Sequence, residues 1–224
     1  MRRWSGMAKA FTRIGREIAM AVKEGGGDPN YNPRLRMAVQ NAKTANMPKV
    51  NVENAIKKAI SKDSENYIEV VYEGYAPHGV AVVVETATDN TNRTVANIRH
   101  HFSKWGGSLG TSGSVDFMFN RKGVFKVKNE NIQIDELELE LIDFGLEEVK
   151  KEEESVLFYC NFTDFGSLQK ALEERGIQVE SAELIRIPTH FKELSDEQVE
   201  DVIRLIEKME EDEDVINVFH NMEE

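Results

Sequence analysis

One change of period constrains this chain of 224 residues more than any other feature. Up to about residue 60 its apolar residues recur every three or four positions, and from Asn66 they alternate or run together. The first spacing belongs to amphipathic helices and the second to strands. The chain therefore reads as α+β, with a helical segment followed by mixed layers. At about 150 residues per domain, the length allows one large domain or two to three small ones.

Met7, Phe11, Ile14, Ile18 and Val22 fall on one face of a helix from about Ala8 to Glu24. Lys9, Arg13, Arg16 and Lys23 follow the same spacing two residues later, which puts them about 200° away, opposite the apolar stripe. Gly25-Gly26-Gly27-Asp28-Pro29 stops this helix. Asn32 caps a second helix with Pro33 at its first position and Leu35, Ala38, Val39 and Ala42 inward. Asn46-Met47-Pro48-Lys49 opens a third, with Val52, Ala55, Ile56, Ala59 and Ile60 inward and Lys57, Lys58 and Lys62 outward. Three short amphipathic helices predict a small bundle over residues 1–65.

Beyond Asn66, strands are expected over Tyr67–Tyr75 and Gly79–Thr88, joined by a turn at Ala76-Pro77-His78-Gly79. A helix capped by Asp89 or Asn90 carries Val95, Ile98, Arg99, Phe102 and Lys104 and ends at Gly106-Gly107. Ser114–Asn120 reads as a third strand. The order β-α-β-β-α-β over residues 122–187 is the ferredoxin-like pattern. Its first helix, Asp135–Phe144, is ambiguous, because Leu137, Leu139 and Leu141 alternate as in a strand; Gly145 as a stop favours a helix. Ser195 with Gln198 forms a capping box for a last helix, and Asp214–Phe219 is a last strand. The last helix and strand complete the sheet begun at residue 66. The expected layout is a basic helical domain at 1–65 and a middle α/β domain at 66–120 plus 189–224. A ferredoxin-like domain at 121–188 is inserted into the middle one.

Charge follows the same divisions. Residues 1–62 carry a net of +9, residues 63–129 a net of 0 and residues 130–224 a net of −21, for a total of −12. The total alone would argue against nucleic acid; its distribution describes a basic docking segment on an acidic remainder. The acidic stretches Glu152–Glu154 and Glu210–Asp214 read as solvated faces that repel nucleic acid or bind a basic protein. A single cysteine, Cys160, excludes an internal disulfide and suits a reducing cytosol. The N-terminal residues lack the apolar core of a signal peptide, and no apolar run reaches about 18 residues. A cytoplasmic protein without membrane contact is expected.

Short motifs then identify a relationship. Lys9-Ala10-Phe11-Thr12-Arg13, Glu24-Gly25-Gly26-Gly27-Asp28-Pro29, Asn32-Pro33-Arg34-Leu35-Arg36 and Ala45-Asn46-Met47-Pro48-Lys49 come first. Tyr72-Glu73-Gly74-Tyr75-Ala76-Pro77, Thr88-Asp89-Asn90-Thr91-Asn92-Arg93-Thr94-Val95 and Gly106-Gly107-Ser108-Leu109-Gly110 with Gly113-Ser114-Val115 follow. In this order they resemble the YebC/PmpR family, which includes the mitochondrial translational activator of cytochrome oxidase. They cover about residues 9–120. The resemblance implies three domains, the last inserted in the second, and a probable transcriptional regulator that binds DNA. It also implies an alternative, a ribosome-associated translation factor that binds ribosomal RNA or tRNA and relieves stalling at consecutive prolines. Two departures stand out: family members usually open with a longer basic segment, and often carry Gly where this chain has Ala76 and His78.

The residues expected to meet nucleic acid are Lys9, Arg13, Arg16, Lys23, Arg34, Arg36, Lys43, Lys49, Lys57, Lys58, Asn92 and Arg93. Contacts of this kind neutralise phosphates; they give affinity and salt dependence without sequence choice. Aromatic residues do not interleave with them along the chain, so base stacking is not expected. Gly25–Gly27 lacks the Lys-Ser/Thr ending of a nucleotide loop and reads as a helix stop. Adjacent His100 and His101 diverge by about 100° and suit no shared metal. No catalytic residue, metal, cofactor or small-molecule substrate is expected. The competing classes are a metal-free enzyme, which would need a perturbed carboxylate or histidine in a closed pocket, and a protein-interaction module insensitive to the basic stripe.

Overall fold

The computed structural model describes residues 2–61, 66–129 and 133–223, with side chains from Lys9 onward. The expected positions of Met7 and Lys62 lie outside those side chains. Three helices open the chain: α1 (Arg2–Gly25), α2 (Pro33–Thr44) and α3 (Lys49–Ile60). The remainder is α/β, with two four-stranded sheets, so the class is α+β as the change of period requires. No helix among the described residues is long and apolar enough to cross a membrane.

The chain divides into two compact units. One contains Met1–Met20, Ser61–Asn120 and Arg186–Glu224; the other contains Ala21–Ile60 and Arg121–Ile185. The helical segment expected as a body of its own over 1–65 is thus shared, with the division falling inside α1.

In the first unit, β1 (Ile68–Ala76) and β2 (Val80–Thr88) pair antiparallel from Ile68 opposite Thr88 to Ala76 opposite Val80. A 3-10 turn at Pro77–Gly79 joins them. His78 adopts φ 64 and Gly79 φ 75. Left-handed backbone suits glycine, so His78 holds a conformation that costs a residue carrying a Cβ. After α4 (Thr91–Lys104), β3 (Ser108–Leu109) adds to the β1 edge, and after α7 (Asp196–Glu210), β8 (Val215–His220) adds to β2. The order is β3-β1-β2-β8. Val80, Val82 and Val84 of β2 pack with Ile98 and Phe102 of α4 and with Val202, Leu205 and Met209 of α7. The alternate residues Ala81 and Val83 pack with Val115 and Phe119 on the other face. Burial of both faces makes β2 a continuous apolar run rather than an alternating one.

The expected strand over Ser114–Asn120 does not form. Residues 110–118 are loop and a 3-10 turn, and only Phe119 and Asn120 begin β4 (Phe119–Lys128). The reason lies in β1. The buried Glu73 carboxylate accepts from the backbone N–H groups of Gly113, Val115 and Asp116, at 2.7, 2.8 and 2.8 Å. These donors wrap around one side chain instead of pairing with a strand. Burial raises the Glu73 pKa, but those three N–H groups and nearby Arg186 outweigh it, leaving it below the usual carboxylate value.

In the second unit, β4, α5 (Ile134–Leu141), β5 (Leu146–Lys151), β6 (Ser155–Asn161), α6 (Phe165–Glu174) and β7 (Val179–Pro188) follow one another. Their sheet order, β5-β6-β4-β7, is that of a ferredoxin-like unit, inserted between β3 and α7. Leu137 and Leu141 are buried in α5 while Leu139 is exposed, so the i, i+4 pair decides its helical character. Gly123 sits opposite Cys160, where a Cβ would approach its sulfur to 2.7 Å and Phe165 to 2.5 Å. Cys160 is buried in that core, and burial pushes its thiol up to about 11. Helix α2 lies along β7: Asn41 donates to the Ala182 carbonyl at 2.9 Å and accepts from its N–H at 3.1 Å.

Candidate nucleic-acid interface

Two basic residues of the first unit, Arg16 and Arg93, meet in a network around one carboxylate. Asp214, just before β8, is 2% exposed. It accepts from Arg16 at 2.9 Å, from Thr94 at 2.8 Å and from Arg93 at 2.8 and 2.9 Å. Arg16 also donates to the Ala87 carbonyl at 2.7 Å and lies over the Tyr67 ring. Arg93 also reaches Asp89 at 2.9 Å, and Asn90, rather than Asp89, caps α4 by accepting from the Arg93 N–H. Burial raises the Asp214 pKa, yet the bonds from Arg93, Thr94 and Arg16 outweigh it and hold the carboxyl low. Donating to Asp214 and Asp89 holds the Arg93 guanidinium above its ordinary pKa.

On the side of α1 opposite its apolar stripe, the Arg16 side chain is only 11% exposed. Met20, one turn on, packs with Ala87, Ile216 and Tyr67. The stretch Glu210–Asp214 is not wholly solvated either, since Asp214 is buried. An open pocket of about 460 Å³ here is lined by Arg16 and Arg93 but also by Asp89, Asp212, Glu213 and Asp214. Its lining sets four carboxylates against two guanidiniums, a net negative charge. Lys9 and Asn92 are exposed, and Arg13 is half-buried with a long 3.4 Å contact to the Glu210 carbonyl.

The second unit holds the other seven. Lys23, Lys43, Lys49, Lys57 and Lys58 are all exposed on α1, α2 and α3. Lys49 makes only a 3.8 Å i, i+4 contact to Glu53. The two arginines are engaged: Arg34 with Glu24 at 2.7 Å, and Arg36 with both Glu173 oxygens at 2.7 and 3.0 Å. Arg36 also donates to the Pro29 carbonyl at 2.8 Å. The exposed set is therefore lysine, a compact charge that meets phosphate without the fork that reads a base edge.

Asn32 organises the loop between α1 and α2. It is buried, donates to the carbonyls of Ala21 and Gly26 at 2.7 and 2.8 Å, and accepts from Leu35 N–H at 3.0 Å. Asparagine before Pro33 predicted the cap but not the two backward bonds. Asp214, Glu73 and Tyr31 are the residues that sequence reasoning passed over. Nothing in the spacing marks Asp214 among its acidic neighbours, whereas Glu73 inside a β-rich run was a readable anomaly. Among the described residues, no three His, Cys, Asp or Glu side chains are placed to hold a metal ion.

Comparison with known proteins agrees with the motif order. The family model described as "TACO1/YebC protein N-terminal domain" matches residues 1–62, and "TACO1/YebC second and third domain" matches residues 67–222. A "Probable transcriptional regulatory protein" from Flavobacterium johnsoniae is 58% identical over 224 residues, covering 100% of this chain and 94% of that one. One of the same description from Parabacteroides distasonis is 56% identical, covering 100% and 92%. Among solved structures, a conserved hypothetical protein from Aquifex aeolicus superposes with a TM-score of 0.81 at 41% identity. It covers 96% of this chain and 90% of its own.

Proposed function

The chain belongs to the TACO1/YebC family of regulators, and from that premise we propose that it is a non-enzymatic regulator of gene expression that docks on nucleic acid through its basic helices. The observation that carries this is the exposed lysine set, Lys23, Lys43, Lys49, Lys57 and Lys58, in a segment of net +9 on a chain of net −12. Lysines on helices bind the phosphate backbone, so affinity exceeds sequence choice. The relatives' description as probable transcriptional regulatory proteins supports DNA as the target. The pairing of Arg34 and Arg36 with carboxylates favours a second reading, a shaped RNA such as the ribosomal surface, since the forks that read major-groove edges are occupied. The same proposal keeps three functional parts: residues 1–65 dock, and 66–120 with 189–224 and the inserted 121–188 carry them. A cytoplasmic location accords with it. A non-enzymatic role accords with Asp214 and Glu73, whose shifted carboxyls are held by structural donors.

The test is a titration of duplex DNA and of ribosomes at several salt concentrations, with the wild type and Lys57→Glu/Lys58→Glu. Affinity of the wild type should fall steeply with salt. The variant should bind at least tenfold more weakly, with a slope reduced by about 2 for two lost phosphate contacts, and with unchanged melting. A flat salt response with equal binding by both would point to a protein-interaction module. Retention on nuclease-treated ribosomes but not on DNA would select the second reading.

A further inference from the structure

The loop that Asn32 holds carries the most exposed large apolar side chain of the described residues. Tyr31 is 85% exposed. An aromatic ring left in water on a surface is informative when its backbone is fixed, because a rigid ring binds with little entropy to lose. Here the backbone is fixed on several sides. The Tyr31 N–H donates to the Asp28 carbonyl at 3.1 Å, and the Asn30 N–H to the Asp28 side chain at 2.9 Å. Arg36 holds the Pro29 carbonyl, and Asn32 ties the next residue to Ala21 and Gly26. The loop also rests on the end of α3. A Cβ on Gly27 would meet the Ile60 side chain at 2.4 Å and Ile56 at 3.5 Å. The residues flanking that contact in α3 include Lys57 and Lys58, and the loop itself follows Lys23 in the last turn of α1. The loop thus lies where α1 and α3 end, and the last turns of those helices carry Lys23, Lys57 and Lys58; the two on α3 lie 26 and 27 positions from Tyr31 along the chain, which is why sequence alone showed no interleaving.

We propose that Tyr31 is a stacking platform for an unpaired nucleobase, so that this basic face takes nucleic acid containing at least one unpaired nucleotide in preference to continuous duplex. Lysines hold the phosphates and the ring takes the base, the combination that single-strand binders use. In a duplex both faces of each interior base are already stacked and unavailable to the ring. This inference rests on the docking reading above and names the ligand class of the same surface.

The full chain is tested by anisotropy with a fluorescein-labelled 12-nucleotide single-stranded RNA and with a fully paired duplex of the same sequence. A second single strand carries 2-aminopurine, whose emission is quenched on stacking. The variants are Tyr31→Ala, Tyr31→Phe and Lys57→Glu/Lys58→Glu, each checked for unchanged melting. Tyr31→Ala should weaken single-strand binding by about five- to a hundred-fold and relieve the quenching. It should leave duplex affinity and the salt slope as they were. Tyr31→Phe should bind like the wild type. Loss of binding in Tyr31→Phe as well would overturn stacking in favour of a hydroxyl contact. Unchanged single-strand binding by Tyr31→Ala, with loss in the lysine variant, would overturn the inference while leaving docking intact. No binding of any strand by the wild type at low salt would end both.

Discussion

Arg16 and Arg93 look, along the chain, much like Lys57 and Lys58, yet the fold treats the two pairs in opposite ways. The arginines converge on a buried aspartate, while the lysines stand exposed on a short helix. Chemistry separates them. A guanidinium presents several donors in one plane and loses little hydration on pairing, so Arg93 can bond both oxygens of Asp214 and also reach Asp89. An ammonium is strongly hydrated and stays at the surface. The comparison teaches that a basic stripe holds two populations, one drawn into a buried network and one that stays at the surface. Residue type sorts them better than position on the helical wheel.

The largest effect should come from removing the centre of the first population. Asp214→Ala leaves Arg16, only 11% exposed, beside the Ala87 carbonyl without the carboxylate it is bonded to. Breaking a buried pair of this kind costs about 3–5 kcal/mol, at the lower end here because Arg93 can turn to Asp89 and to water. Urea unfolding at pH 7 measures it. The pH dependence has a definite sign. The folded carboxyl titrates below its ordinary value of about 4. Its stabilisation is therefore complete above pH about 4 and disappears as pH falls through the lower folded value. Wild type and variant should differ by a constant amount from pH 5 to 8 and converge only in more acidic solution. Convergence near pH 6 would show that another group controls the network.

The next effect separates neighbours on one helix. Arg16→Gln should lose about 1.5–3 kcal/mol, the range for charge-assisted hydrogen bonds. Arg13→Gln, which gives up a single 3.4 Å contact, should stay within about 0.5 kcal/mol. Equal losses in thermal or urea unfolding would erase the distinction between the two populations on α1. One consequence is practical: reversing Arg13 and Arg16 together confounds docking with folding, whereas Lys57 and Lys58 do not.

How much of this was legible follows from what a sequence pattern can encode. Local periodicity carried α1 to α3, the ferredoxin-like order of β4 to β7, and the last helix and strand as members of the first sheet. Periods report one buried face, and they are silent about Arg16, which meets Tyr67 and Ala87 from about 50 to 70 positions away. The strand expected over Ser114–Asn120 failed for a similar reason. Its donors answer to Glu73, some 40 residues earlier, and a carboxylate acting over that distance leaves no trace in local alternation. Asn32 shows the intermediate case: its forward bond to Leu35 is a local rule, its backward bonds to Ala21 and Gly26 are not. Tyr31 as a candidate contact depends on those backward bonds, so it was invisible for the same cause.

The smallest effect tests the boundary of the comparison. Arg36 belongs to the docking segment but behaves in part like Arg16, since it is bidentate to Glu173. The difference is solvent. The two side chains are 34% and 38% exposed, so water and salt screen the attraction. The coupling energy from Arg36→Ala, Glu173→Ala and the double variant should be below about 1 kcal/mol and should shrink further in 0.5 M salt. A coupling above about 2 kcal/mol, insensitive to salt, would move Arg36 into the structural population. It would also mean that the start of α2 is fixed mainly by α6, not by Asn32. Weak coupling instead places the Arg36–Glu173 pair among surface ion pairs that contribute little to stability, and leaves Asn32 as the side chain that fixes the start of α2.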